Sequence, residues 1–549
     1  MNPKDDFLQN LRRGMFYDKK TYSAAILEPY EKIRPLLPEP VLDSRPLWLK
    51  CYSFAVETAF QNRKKPTVES GFVSNFVDAA FNENIFLWDT AFITMFCNLL
   101  HPHIPGICSL DNFYCRQFDD GEIPRELVRD SGRDFLPWVN AYNAPLYSYF
   151  HNAYGHRRLK TTSPIAYESM FKPDLGRVPE KTPYLTLDNL NHPIAAWAEW
   201  ISYLHTGDIA RLQTVVIPLL EQYKAMRYHL RHQNGLYVTD WASMDNSPRN
   251  RYLGCGLDIS CEMVLFADNL ADMLDEIERV EPLRPDLVAD LKHLREDSGA
   301  LANTINGLLW DNDKGFYFDL SSDGKRAPVK TVAAYWALAA GVASPEQAER
   351  LVMWLNDTET FNRVHRVPSL AADEAGYNPD GGYWSGSVWA PTNTMVLYGL
   401  EKYGYPELAK EIALNHLRAV CDVYEETDTI WENYPADSIT KGDADKGGFV
   451  GWSGIAPILY LIQYAVGLTA DCRTQTVVWK IDTEHILKGE AGCRRYWFFG
   501  KQADFIAKTD GNTLRISITT DDCFSLKIHY NNTCVQKDIR GDVSFSIFS

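Results

Sequence analysis

Carboxylates set beside tryptophans recur along this chain in loops rich in glycine. In Asp240-Trp241-Ala242-Ser243-Met244-Asp245-Asn246-Ser247-Pro248-Arg249, two acids share a short loop with Trp241, Met244 and Arg249. Asp-Asn-Ser-Pro is turn chemistry in its own right. Apolar neighbours would nevertheless desolvate a carboxyl and raise its pKa, the condition for a general acid at neutral pH. In TIWENYPAD (429–437), Glu432 stands between aromatic rings ahead of a Pro-led turn. Trp88 and Asp89 in NIFLWDT (84–90) read either as an ordinary helix start or as an aromatic platform beside a hydrogen-bond acceptor. Arg125 and Glu126 follow the Gly-x-x-Pro turn of DGEIPRE (120–126), where a guanidinium fork would hold a hydroxyl or carboxylate, or simply begin an exposed helix. GGYWSGSVWAPTN (381–393) sets Tyr383, Trp384 and Trp389 among Gly381, Gly382 and Gly386, which leaves rings for stacking and backbone for close approach to a ligand. GFVGWSG (448–454) repeats the pattern around Trp452.

Two acids in an aromatic-lined pocket suit the hydrolysis of glycosides. One protonates the departing oxygen, while the other draws a proton from water arriving on the opposite face; inversion needs the pair roughly 6.5–9.5 Å apart. Asp240, five residues before Asp245, and Glu426, six before Glu432, compete for these roles on local chemistry alone.

The elements that must carry these loops are helical. Apolar residues recur at three and four positions through 46–60, 87–100, 192–205, 209–229, 261–280, 286–308, 329–340, 345–355, 388–403, 406–424 and 452–466. Ser344-Pro345 supplies a cap followed by Pro at the first helical position. Short and long connections alternate, which suits helical hairpins in a ring with long loops gathered at one end. Near Leu468 the pattern changes to short β-branched and aromatic runs separated by Gly, Asp and Asn turns, predicting an antiparallel β-sandwich. The expected division is a helical toroid over 1–470 and an accessory β domain over 471–549.

The 549 residues carry 15 Trp and 29 Tyr, and a formal net charge of −17 that disfavours nucleic acid as a partner. Eleven dispersed cysteines without a C-x-x-C pair read as reduced thiols. No secretory leader and no membrane span is read, so the expectation is a cytoplasmic protein of unstated oligomeric state acting on a small carbohydrate.

At its loops the chain resembles the clan of glycoside hydrolase families 63 and 37, which includes processing α-glucosidase, mannosylglycerate and glucosylglycerate hydrolases and trehalase. FLWDT, DGEIPRE, NLNHPIAAWA (189–198), SMDNSPR, YWSGSVWAPTN, IWENYPADS and GFVGWSG follow one another in the family's order over about residues 80–466. The resemblance implies an (α/α)6 barrel, inversion at an α-glycosidic bond, and neither cofactor nor obligatory metal. It carries the general acid to Asp245 and the general base to Glu432. Trp88, Asp89, Arg125, Trp384, Gly386, Trp389 and Trp452 fall on pocket positions, and Glu126, Asn191, Trp241, Arg249 and Tyr383 join them as candidate substrate contacts. The Gln-Trp-Asp segment of trehalases is missing, which argues against trehalose as substrate. A phosphorylase on the same toroid, a catalytically inactive sugar-binding protein and a histidine-dependent epimerase are the rival readings.

Overall fold

The computed structural model describes Phe16 and residues 26–117, 121–132, 191–238, 244–252, 254–321, 323–442, 446–510 and 513–548. Its helices alternate between two layers. α1 (Pro46–Gln61) precedes α2 (Leu87–Cys97), α3 (Ala195–Thr206), α4 (Ile209–Leu230), α5 (Leu257–Glu278) and α6 (Pro285–Leu309). These are followed by the short α7 (Trp336–Ala339), α8 (Pro345–Asn356), α9 (Ala390–Lys402), α10 (Pro406–Thr427) and a closing helix with π-type hydrogen bonding, Ile455–Val466.

The layers follow from composition. In α2 every residue except Trp88 is buried, and α9 is buried over almost its whole length, so both lie inside. α8 buries only Ala348, Leu351 and Leu355, one stripe at helical spacing, and lies outside. Among the described residues α2, α3, α5, α7, α9 and the π-type helix each pack on the next, and the last returns to α2. That closed inner ring is the barrel the sequence predicts. The expected cap is present: Ser344 Oγ accepts from Gln347 N–H at 3.2 Å, and Gln347 Oε1 accepts from Ser344 N–H at 2.7 Å. The predicted helix over 329–340 is instead a 3-10 turn, Val332–Tyr335, running into the four residues of α7.

The β domain is a two-sheet sandwich. Its strands are β1 (Glu39–Leu42), then, after the separate hairpin of β2 (Asn84–Phe86) and β3 (Glu126–Val128) on the toroid, β4 (Leu468–Asp471), β5 (Thr476–Ile481), β6 (Ala491–Phe498) and β7 (Lys501–Asp510). β8 (Thr513–Thr519), β9 (Cys523–Tyr530), β10 (Thr533–Arg540) and β11 (Val543–Phe548) complete the series. One sheet runs β1-β6-β7-β8-β11 and the other β4-β5-β9-β10. Buried and open positions alternate in β8 and β9, as expected of strands with one face in the core. Two features depart from the sequence reading. β5 and β9 pair in parallel, and β1 comes from near the start of the chain to lie against β6. At the junction with the toroid, Gly467 takes φ 90°, and a Cβ there would strike the carbonyl of Lys480, so only glycine fits.

Candidate active site

Four of the signature segments sit at the N-terminus of an inner helix, which brings them to one end of the barrel. Asp89 is in the first turn of α2, Asn191 and His192 precede α3, Trp389 caps α9, and Trp452 lies just before the π-type helix. The positive ends of several helix dipoles therefore face a group of acids. A short hairpin joins two of the segments. β2 pairs with β3, setting Phe86 opposite Glu126, and Leu87 N–H donates to the Arg125 carbonyl at 2.8 Å. Trp88-Asp89 and Arg125-Glu126 thus share one rigid corner.

Three carboxyls, those of Asp89, Glu126 and Asp245, feel the Arg125 guanidinium, and Glu432 adjoins Asp89. Burial drives the Asp89 carboxyl well above its ordinary range, and Glu432 and Glu126 add to this while Arg125 opposes it. Burial also pushes Glu126 up to about 7, against Arg125 and a 2.7 Å hydrogen bond from Asn84 Nδ2, with Asp245 adding its repulsion. Asp245 is exposed to the cleft, yet the surrounding protein depletes water about its carboxyl and raises its pKa, with Arg125 opposing. Arg125 opposes the upward shift of Asp89, Glu126 and Asp245 without cancelling it, so protons are retained in the cluster. An acid that keeps its proton beside one that loses it is the division of labour acid–base catalysis requires.

Glu432 is 2% exposed and is fixed by backbone. Its N–H donates to the Lys446 carbonyl at 3.1 Å, and its own carbonyl accepts from Trp452 Nε1 at 3.0 Å and Ser453 Oγ at 3.2 Å. Isolated bridges Trp431–Gly447 and Val388–Tyr434 bracket it. The Tyr383 phenol donates to Glu432 Oε1 at 3.1 Å. Burial and then the charges of Glu432 and Asp245 hold that phenol far above its usual pKa, so it stays a donor.

Aromatic rings form a continuous wall. Trp88 meets Trp452 edge-on at 5.9 Å, Trp452 meets Trp389 at 5.9 Å, and Trp389 stacks on Trp384 at 4.1 Å with planes 4° apart. Tyr383 abuts Trp389 at 4.8 Å.

Several predicted contacts have other roles. Arg249 is not available to a ligand, because its guanidinium is saturated. It donates to Asp319 at 2.8 and 2.6 Å, to Asp258 at 2.7 and 3.1 Å, and to Met244 Sδ at 3.9 Å. It anchors the acid loop instead, together with Asn250, whose amide donates to the carbonyls of Met244 and Asp245, both at 2.9 Å. Trp389 is fully buried and supports the other rings without offering a face. Gly386, at φ 155°, is required by its own loop, since a Cβ would strike the Asn378 carbonyl. Asn191 holds the turn before β3, donating to the carbonyls of Ile123 at 2.8 Å and Pro124 at 3.2 Å. Trp241 and Asp240 lie outside the described residues. The sequence reading missed His192, which pairs with Glu262 one helical turn beyond Asp258. An i,i+4 acid pair on an apolar helix was the signal that could have found it. Among the described residues no group of three or more His, Cys, Asp or Glu is arranged to hold a metal, and no helix is long and apolar enough to cross a membrane.

The closed barrel carries the acid cluster and the aromatic wall at one end, and solved structures share its fold. Residues 263–453 match the mannosylglycerate hydrolase MGH1-like glycoside hydrolase domain. An uncharacterized protein of Borreliella burgdorferi is 29% identical over 316 residues, 55% of this chain and 64% of that protein. A trehalase of Oryctolagus cuniculus is 25% identical over 178 residues, 30% of this chain and 29% of that one. The chain thus matches less than two thirds of the length of these curated relatives. The solved mannosylglycerate hydrolase of glycoside hydrolase family 63 from Thermus thermophilus, in complex with glucose, superposes with a TM-score of 0.53 at 19% identity, covering 74% of this chain and 99% of that one. The chain thus shares the fold of the solved family-63 structure, and over 263–453 it is similar to the MGH1-like glycoside hydrolase domain.

Proposed function

We propose that the chain is an inverting, exo-acting α-glycosidase that releases one terminal glucose or mannose from a small glycoside. Protonated Asp245 gives its proton to the departing glycosidic oxygen. Glu432 takes a proton from the water that attacks the anomeric carbon, and charge builds on the sugar ring between them. The observation that carries this reading is the placement of Tyr383, whose phenol donates to Glu432 and feels the charge of Asp245 as well. The two acids therefore flank one polar group at the base of an aromatic wall. The contrast in setting supports the roles: Asp245 is exposed to the cleft, where a leaving group departs, and Glu432 is sunk in the floor, where a single water is held.

A proton-NMR time course on α-glucosides and α-mannosides, including mannosylglycerate, glucosylglycerate, trehalose, kojibiose and nigerose, tests it. First appearance of the β-anomer of the freed sugar is the expected result. First appearance of the α-anomer would overturn inversion, and turnover that depends on phosphate would favour a phosphorylase.

A further inference from the structure

Asn246 follows the acid directly, is exposed, and makes three hydrogen bonds to a loop far away in sequence. Its Oδ1 accepts from Trp384 N–H at 2.8 Å, and its Nδ2 donates to the Gly382 carbonyl at 3.0 Å. Its own carbonyl accepts from Ser385 Oγ at 3.3 Å. The amide therefore grips both neighbours of Tyr383. Gly382 and Tyr383 are both left-handed, at φ 62° and 61°. A glycine takes that conformation freely, whereas a tyrosine keeps it only when its surroundings impose it. The conformation aims the phenol at Glu432 Oε1, 3.1 Å away.

We propose that Asn246 is a positioning residue for the base: by clasping Gly382 and Trp384 it holds Tyr383 on Glu432, so that the acid loop sets the geometry of its catalytic partner. This rests on the assignment of Glu432 as base. One side chain ties the two halves of the site together, so a displacement of the acid loop is transmitted to the base. The carboxylate held in this way faces Asp89 at the start of α2, with Arg125 and Glu126 at the corner beside it and Asp245 across Tyr383. Loss of the phenol removes a donor that favours the charged form of this carboxylate, while the neighbouring acids still disfavour it. The base then holds its proton to higher pH, and the acidic limb of the activity profile moves up.

The test is the pH dependence of kcat and kcat/KM for the full chain and for Tyr383→Phe, Asn246→Ala, Asn246→Asp and the Tyr383→Phe/Asn246→Ala double variant. Tyr383→Phe and Asn246→Ala are each expected to move the acidic limb upward by about one unit and to lower kcat about tenfold, with KM within about twofold. The double variant is expected to match Tyr383→Phe alone, because both changes break one linkage. Asn246→Asp keeps an acceptor for Trp384 N–H but no donor for Gly382, and should fall between the full chain and Asn246→Ala. Additive losses in the double variant would overturn the proposal, as would an Asn246→Ala variant that raises KM while its acidic limb stays in place. Failure of the underlying assignment is read separately, from Glu432→Gln: undiminished turnover there would remove the base itself, whatever Asn246 does.

Discussion

The acid loop and the base loop reach the same cleft by opposite means. Asp245 sits in a turn held by side chains, namely Arg249 bridging Asp258 and Asp319, Asn250 on two carbonyls, and Asn246 reaching across to Gly382. Glu432 sits in a strand-like segment bracketed by two backbone bridges and is almost wholly buried. A side-chain lattice leaves the acid facing solvent, where leaving groups of varied shape can be met. A backbone lattice fixes the base to within the tolerance that one attacking water allows. The difference also locates fragility: one substitution can dismantle the first lattice, whereas in the second a side-chain change removes single bonds such as that from Trp452 Nε1 and leaves the backbone bridges in place.

The largest expected effect separates the two carboxyls by chemistry. Asp245→Asn and Glu432→Gln should each lower turnover about 10²–10⁴-fold on natural glycosides while sugar binding persists. On a glycosyl fluoride, whose leaving group departs without a proton, Asp245→Asn should recover most of its rate and Glu432→Gln none. Equal recovery in both variants would erase the distinction.

Next comes stability. Arg249→Met leaves Asp258 and Asp319 buried without their cation, at a cost of about 3–5 kcal/mol, read from urea unfolding. Below it stands a pH effect at the shared corner. Glu126 titrates near 4.5 in an open chain and about 7 in the fold, so the folded state keeps a proton that the unfolded state has lost. The contribution of Glu126 to stability is full below about pH 4.5 and is lost, by about 3 kcal/mol, as pH rises through 7. Glu126→Gln should flatten that decline when unfolding is compared at pH 5 and pH 8; an unchanged decline would place its cause elsewhere. The smallest effect is on the base side. Tyr434→Phe removes the hydroxyl that accepts from Trp431 N–H at 3.0 Å, at a cost of about 1 kcal/mol, with the bridges left intact. A loss as large as that of Arg249→Met would contradict the backbone account.

Much of this was legible beforehand, for identifiable reasons. Helical periodicity foretold the barrel because inner and outer helices bury different shares of their surface. The loops stood out because Trp, Gly and acids rarely crowd together without purpose. What escaped notice depended on distant partners. Nothing near Arg249 announces Asp319, seventy residues on, so its charge looked free for a ligand. Trp389 looked like a platform because sequence does not tell which of several rings is covered by the others. β10 gives no signal of its own in the sequence, because it lies at a sheet edge and buries only Ile539 of its eight residues, leaving no alternation to read. β1 was missed for a different reason: its four residues run through Pro40 and join a sheet built more than 400 residues later.

That early strand has a consequence for how the molecule comes into being. During synthesis β1 emerges long before β6, so its hydrogen-bonding groups wait unpaired while the whole ring of helices is made. Closing so long a loop is slow relative to local helix formation, and the last sheet acts as a lock turned after the barrel has gathered. Cutting the chain after the barrel would leave β1 with no strand beside it, and deleting β1 would bare the edge of β6 to any other extended chain. The sandwich is thereby a fastening between early and late chain, and cannot be detached from the helices without leaving an adhesive edge behind.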